Sequence, residues 1–245
     1  MQLIHGDCLE VMKDIPDGSV DMILCDLPYG TTACKWDTII PFKPLWIEYS
    51  RIIKINGAIV LTASQPFTSC LIISNMDMFK YTLVWEKSHP SGIAMVNKRF
   101  LKYHEDICIF YKKQPTYNPQ KWEGEKSHSV GKQLGNKTNS KSNPNMVQTT
   151  TEYSNKKHPK SIIKIPNPRF KGMHPTQKPV LLMEYLIKTY TNENDLIMDN
   201  CMGSGTTGIA CKKINRHFIG IELDLVYFQT AKDRISNLKI KHGLF

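Results

Sequence analysis

Two short stretches hold most of the chemistry this sequence can offer. The first is Asp26-Leu27-Pro28-Tyr29, set directly behind the apolar run Met22 to Cys25. A carboxylate oxygen and a neighbouring backbone carbonyl can together accept both hydrogens of an amino group, leaving its lone pair aimed outward. Pro28 stiffens such a turn, and Tyr29 offers a flat ring for stacking. Taken alone, the string reads equally well as a turn with an exposed tyrosine. The second stretch is Asp199-Asn200-Cys201-Met202-Gly203-Ser204-Gly205-Thr206-Thr207-Gly208, which follows the apolar Leu196 to Met198 and opens a helix-like segment. Glycines at a strand-to-helix turn let backbone approach a ligand closely and let helix and strand pack together. By letter this is G-x-G-x-x-G, a loop used for nucleotide-type cofactors, NAD among them. Glu222 ends the next apolar run nineteen positions after Gly203, where an acid can accept hydrogen bonds from ribose hydroxyls.

Two further strings are compatible with either a ligand or a structural role. His174-Pro175-Thr176-Gln177-Lys178-Pro179 is polar and rigid; Thr176 can cap the following helix, with Pro179 in its first turn. His5-Gly6-Asp7-Cys8 closes the first short strand, and Asp7 can cap the helix behind it.

Positioning these residues requires a sheet covered by helices. Residues 1–112 and 174–245 alternate β-type runs with amphipathic stretches, the pattern of an α/β, doubly wound, mostly parallel sheet. Strands are expected at Val20 to Cys25, Ala58 to Thr62, Tyr81 to Glu86, Asp106 to Tyr111, Leu196 to Asp199 and Phe218 to Glu222. Helices are expected at Cys8 to Asp14, Pro44 to Lys54, Pro66 to Asn75, Val180 to Tyr190, Thr206 to Ile214 and from Leu225 onward. Pro16-Asp17-Gly18 and Asn56-Gly57 read as turns. Residues 113–173 lose the pattern: they are rich in Lys, Asn, Ser, Gln and Pro and poor in large apolar side chains, so they read as a loop-rich insert that orders on a partner.

That insert also carries the charge. The chain's formal net charge is +10, and Lys112 to Lys171 holds twelve Lys, Arg169 and three acids, so 13 minus 3 accounts for all of it. Concentration of this kind points to a polyanionic partner. The seven cysteines form an odd set without a C-x-x-C pair, so neither a metal site nor a disulfide framework is expected. No apolar run approaches the roughly 20 residues of a membrane span, and the acidic and basic residues near the N-terminus (Asp7, Glu10, Lys13, Asp14) speak for a cytoplasmic protein.

Taken together, the four strings resemble the DNA amino-methyltransferases that act on adenine N6 or cytosine N4, in the circularly permuted order called the β group. In that family a D-P-P-Y-like motif comes first, then the target-recognition region, then H-P-T-Q-K-P and D-P-F-x-G-S-G-T; here DLPY, the basic insert, HPTQKP and DNCMGSGT follow the same order. The resemblance implies a Rossmann-like fold, S-adenosylmethionine as cofactor and double-stranded DNA as partner, with a cognate restriction endonuclease and a second copy of the chain as further candidate partners. It places the target base at Asp26, Leu27, Pro28 and Tyr29, the cofactor's methionine portion at Asp199, Gly203, Gly205 and Thr206 with Thr176 nearby, its ribose at Glu222, and its adenine at Asp7 and the backbone of Cys8. Lys156, Lys157, Lys160 and Arg169 are the expected phosphate contacts. Leu27 departs from the usual Pro, and Asn200 and Cys201 depart from the usual Pro and Phe. Adenine is favoured because the cytosine subgroup tends to carry Ser where Asp26 stands. The rival classes are an NAD(P)-dependent oxidoreductase, licensed by the glycine loop, and an inactive DNA-binding protein.

Overall fold

Along Val20–Asp26 successive side chains point to opposite faces, and both sets are apolar: Ile23 and Cys25 pack on one side, Met22 and Leu24 on the other. Such a strand is stable only when both faces are covered. The computed structural model, which describes residues 1–31, 37–124, 155–167 and 177–239, shows that arrangement. In chain order the elements are β1 (Gln2–His5), α1 (Cys8–Val11), β2 (Val20–Asp26), α2 (Phe42–Ile52), β3 (Ile53–Ala63), α3 (Phe67–Ser74), β4 (Phe79–Ser91), β5 (Lys102–Phe110), β6 (Trp122–Glu123), β7 (Lys156–Lys157) and β8 (Ile162–Lys164), then α4 (Val180–Tyr190), β9 (Leu196–Asp199), α5 (Thr206–Lys213), β10 (His217–Glu222) and α6 (Leu225–Ser236).

Eight strands form one sheet in the order β1-β10-β9-β2-β3-β5-β4-β8, parallel throughout except where β5 runs against β3 and β4. Helices α1 to α3 bury Cys8, Leu45, Tyr49, Ile52 and Leu71 against one face, and α4 to α6 bury Leu182, Leu186, Ile187, Ala210 and Ala231 against the other. The first and last strands of the chain, β1 and β10, lie side by side, which is the signature of a permuted winding. Going outward from the middle, β9 leads to β10 and β2 leads to β3, so the carboxyl ends of β9 and β2 flank a switch point where such sheets bind ligands.

Three expectations change. Helix α2 starts at Phe42 and ends at Ile52, and Ile53 and Lys54 already belong to β3. Asn56-Gly57, expected as a turn, lies inside β3 at a register shift against β2, where a Cβ on Gly57 would come within 2.8 Å of the Asp21 carbonyl oxygen. The insert expected at 113–173 is shorter at both ends. The chain divides into a sheet unit, Met1–Asn118 with Lys160–Phe245, and a second unit, Pro119–Pro159. Asn118 is held by α4, its N–H donating to Thr189 O at 2.7 Å, and β8 pairs with β4, where Ile163 is buried and Trp85 Nε1 donates to Ile165 O at 2.8 Å. Three isoleucines in a lysine-rich run supply the apolar surface that makes this strand. In the second unit β6 and β7 pair antiparallel, Trp122 opposite Lys157, and Trp122 Nε1 donates to His158 O at 3.1 Å.

Candidate active site

At the carboxyl edge of β1, β10, β9 and β2 the sheet opens into a cavity of about 730 Å³. It gathers the expected residues Asp7 and Cys8 behind β1, Asp26 to Tyr29 behind β2, Asp199, Gly203 and Thr206 around β9, and Glu222 at the end of β10. Thr176 and Arg169 lie outside the described residues, as does Cys34.

Asp26 ends β2 with its carboxylate toward this cavity and is engaged on both oxygens. Oδ1 accepts from the Tyr29 hydroxyl at 2.6 Å and from the Thr62 hydroxyl, while Oδ2 accepts from Lys178 Nζ at 2.6 Å. The Tyr29 ring, which lines the cavity, stacks on Phe67 with centroids 5.2 Å apart, and Lys178 Nζ stands 5.6 Å from its centroid. Burial and the adjacent Asp26 charge push the Tyr29 hydroxyl well above its ordinary pKa, so it stays protonated and can donate to Asp26. Leu27, where the resemblance has proline, is buried in the core.

Three residues that the motifs leave without a role join this carboxylate: Lys178, its second partner Glu105, and Lys87, which pairs with Glu105. Because β5 is antiparallel, its early residues reach the same edge as the end of β2: Asp106 pairs with Ala63 beside the Thr62–Asp26 pair. Lys178 Nζ lies 3.2 Å from Glu105 Oε2, and Lys87 Nζ donates to Glu105 Oε1 at 3.0 Å. Burial works against the Lys178 ammonium, but Asp26 and Glu105 outweigh it and hold its pKa up to about 12. Burial likewise opposes the Glu105 carboxylate, yet Lys178 and Lys87 keep it below the usual range. The available signal was a pair of charges, Lys87 and Glu105, inside strands whose other residues demand burial.

The other half of the cavity suits an adenosyl-type cofactor. Gly203 has φ +51° and no atom within 4 Å of a hypothetical Cβ, leaving the backbone open to close approach. Its N–H donates to Glu222 Oε2 at 2.8 Å, and Asp224 N–H donates to Oε1 at 2.9 Å, so Glu222 is fixed with lone pairs to spare. Burial raises its pKa. Asp7 caps α1 by accepting from Leu9 N–H at 2.8 Å, and it lines the cavity as well, so both readings of that string hold together. Asp199 accepts from Cys201 N–H at 3.1 Å and from the Thr207 hydroxyl at 2.6 Å; burial raises its pKa to about 6.

Gly205, the N-cap of α5, has φ +80°, and its missing Cβ would lie 2.9 Å from Ala231 Cβ, so this glycine lets α5 meet α6. The helix-cap reading for Pro179 also shifts, since Pro179 is the N-cap of α4 and precedes its first turn. Asn200 and Cys201, where a Pro and a Phe were expected by resemblance, are accommodated: the buried Asn200 side chain accepts from the Tyr49 hydroxyl, tying α2 to the loop. Burial raises the Cys25 thiol to about 12, which suits a core residue and not a nucleophile.

A permuted, doubly wound sheet with a glycine loop and a strand-end carboxylate on one cavity is the architecture of an S-adenosylmethionine-dependent methyltransferase. The family model described as DNA methylase matches residues 20–233, and the chain belongs to that family. The type II methyltransferase M.HpaI of Haemophilus parainfluenzae is 28% identical over 96% of this chain and 74% of its own length. The DNA adenine methyltransferase YhdJ of Escherichia coli (strain K12) is 29% identical over 95% of this chain and 82% of its own. Among solved structures, the M1.HpyAVI–SAM complex superposes with a TM-score of 0.64 at 27% identity, covering 95% of this chain and 98% of that one. Membership of this family removes the dinucleotide oxidoreductase as an alternative.

Proposed function

We propose that this chain methylates the N6 amino group of adenine in double-stranded DNA, with the target base seated at Asp26-Leu27-Pro28-Tyr29. The observation that carries this reading is the Asp26 carboxylate, held at the end of β2 in the same cavity as the Gly203 loop. S-adenosylmethionine bound at Asp7, Asp199, Gly203 and Glu222 supplies an electrophilic methyl group. Asp26 and the Leu27 carbonyl accept the two amine hydrogens and turn the nitrogen lone pair toward that methyl, so alignment supplies much of the rate. The Asp26 charge gains strength as the nitrogen becomes cationic. A base inside the duplex cannot reach Asp26, so it must leave the stack at a cost of a few kcal/mol.

The basic residues of 112–171 support a DNA-facing role for that stretch, with Lys156, Lys157, Lys160 and Arg169 on phosphates. Partnership with a cognate restriction endonuclease is supported by the type II designation of M.HpaI. Among the described residues no helix is long and apolar enough to cross a membrane. Nucleoside mass analysis of plasmid DNA from cells expressing the chain tests the central claim. N6-methyladenine is the expected product; N4-methylcytosine would move the reading to the other branch of the family.

A further inference from the structure

In the structure the seat proposed for the target amine is already taken. Asp26 Oδ2 receives the Lys178 ammonium at 2.6 Å, and Lys178 is 6% exposed, a buried cation rather than a solvated side chain brushing the site. An amine cannot donate to that oxygen in the same direction while the ammonium stays. Nor should it stay: the nitrogen gains positive charge during transfer, and a full positive charge a few ångströms away in a buried site opposes that.

A destination for the ammonium is built beside it. Glu105 Oε2 is already ion-paired with Lys178 Nζ at 3.2 Å, yet it is buried without a well-formed hydrogen bond, the one such side-chain oxygen among the described residues. A buried carboxylate oxygen lacking a donor is costly to leave so, and a small movement of Lys178 would supply one. Lys87 holds the other oxygen at 3.0 Å and is itself fixed by the Ser91 hydroxyl at 3.0 Å, so Glu105 is anchored and Lys178 is the member free to exchange. Asp26, Lys178, Glu105 and Lys87 sum to zero charge with the ammonium in either place, so the exchange brings no unpaired charge into the interior.

We propose that Lys178 is a displaceable occupant of the target-amine seat and that Glu105 is the acceptor to which its ammonium transfers when the amine binds Asp26. This makes both positioning residues: Lys178 keeps Asp26 paired between turnovers, and Glu105 sets how readily the seat opens. The proposal rests on the reading of Asp26 given above.

The test is steady-state methyl transfer from labelled S-adenosylmethionine to plasmid DNA grown in a methylation-deficient host, with cofactor affinity and thermal unfolding measured on each variant. Glu105→Gln removes the destination and leaves Lys178 on Asp26, so KM for DNA should rise about tenfold or more while cofactor affinity stays within about threefold. Adding Lys178→Gln removes the competing ammonium, and the double variant should return KM to within about threefold of wild type whatever its melting temperature. A network that merely stabilises the fold would instead make KM follow melting temperature. An unchanged KM in Glu105→Gln, or a double variant no better than it, overturns the proposal. Should Glu105→Gln not fold, Lys178→Gln alone decides: KM for DNA at or below the wild-type value supports exchange, and a rise of about tenfold overturns it. Asp26→Ala separates the two readings, since a variant that still methylates removes the seat itself, whereas an inactive one beside a normal Glu105→Gln removes only the exchange.

Discussion

Lys178 Nζ lies 2.6 Å from Asp26 Oδ2 across 152 positions of sequence, joining the segment ahead of α4 to the end of β2. The contact fastens the C-terminal part of the chain to its N-terminal part at the cavity both line. Its consequences can be separated from those of the cofactor loop by substitution.

Asp26→Ala removes the acceptor on which amine orientation depends while leaving Asp7, Asp199, Gly203 and Glu222 untouched. Methyl transfer should fall at least about a hundredfold. Cofactor affinity, read by calorimetry, should stay within a few-fold. Loss of both together would move Asp26 into the cofactor site.

Gly205→Val should act on folding before it acts on binding. The new side chain meets Ala231 Cβ at 2.9 Å and Ile235 Cδ1 at 3.1 Å, and the backbone there has φ +80°. Overpacking and left-handed strain of about 1–3 kcal/mol each should lower the melting temperature by several degrees. Gly203→Ala, with open space around its Cβ, should keep its fold more nearly and lose cofactor affinity instead. Equal melting temperatures for wild type and Gly205→Val would refute the packing role.

The contrast between these glycines shows how far the sequence could be read. The string G-S-G-T marks a strand-to-helix turn, and the structure places one there, but only packing against α6 shows that Gly205 serves the helix and Gly203 the cavity. Likewise Val180–Tyr190 and Leu196–Asp199 form as expected because their apolar spacing is regular. The Glu105–Lys178–Asp26 chain was not legible, since it joins three elements distant in sequence and depends on β5 running antiparallel. The edge strand β8 escaped notice because three residues are too few for periodicity to show.

Asp199 predicts a pH dependence. Burial raises its carboxyl from 3.8 to about 6 in the folded chain, so the protonated form is the one that folding favours. Its contribution to stability is therefore present below about pH 4 and is lost as pH rises through about 6. Asp199→Asn has no such titration, and its melting temperature relative to wild type should climb between pH 4 and pH 7. Cofactor affinity should move the other way in wild type, tightening as an ionised Asp199 becomes available to the ammonium of the methionine portion, and should be flat in the variant. A parallel pair of melting curves across that range would rule out the assignment.

The last prediction concerns the basic stretch. Each phosphate neutralised by Lys or Arg contributes about −0.9 to the slope of log affinity against log salt on B-DNA. Lys156 and Lys157 form β7, opposite Glu123 and Trp122, and Lys160 opens the return to the sheet unit. Replacing all three by Gln should flatten the measured slope by up to roughly three units and weaken every sequence alike, because phosphate contacts position a duplex without reading it. Replacing Pro119–Pro159, the second unit, with a short neutral linker should do something different. Neither Asp7, Asp26, Asp199 nor Glu222 belongs to that unit, so S-adenosylmethionine binding should survive, while methylation-aware sequencing of plasmid DNA should show the site preference gone. If the shortened protein still methylated its original sites selectively, base readout would have to come from the sheet unit.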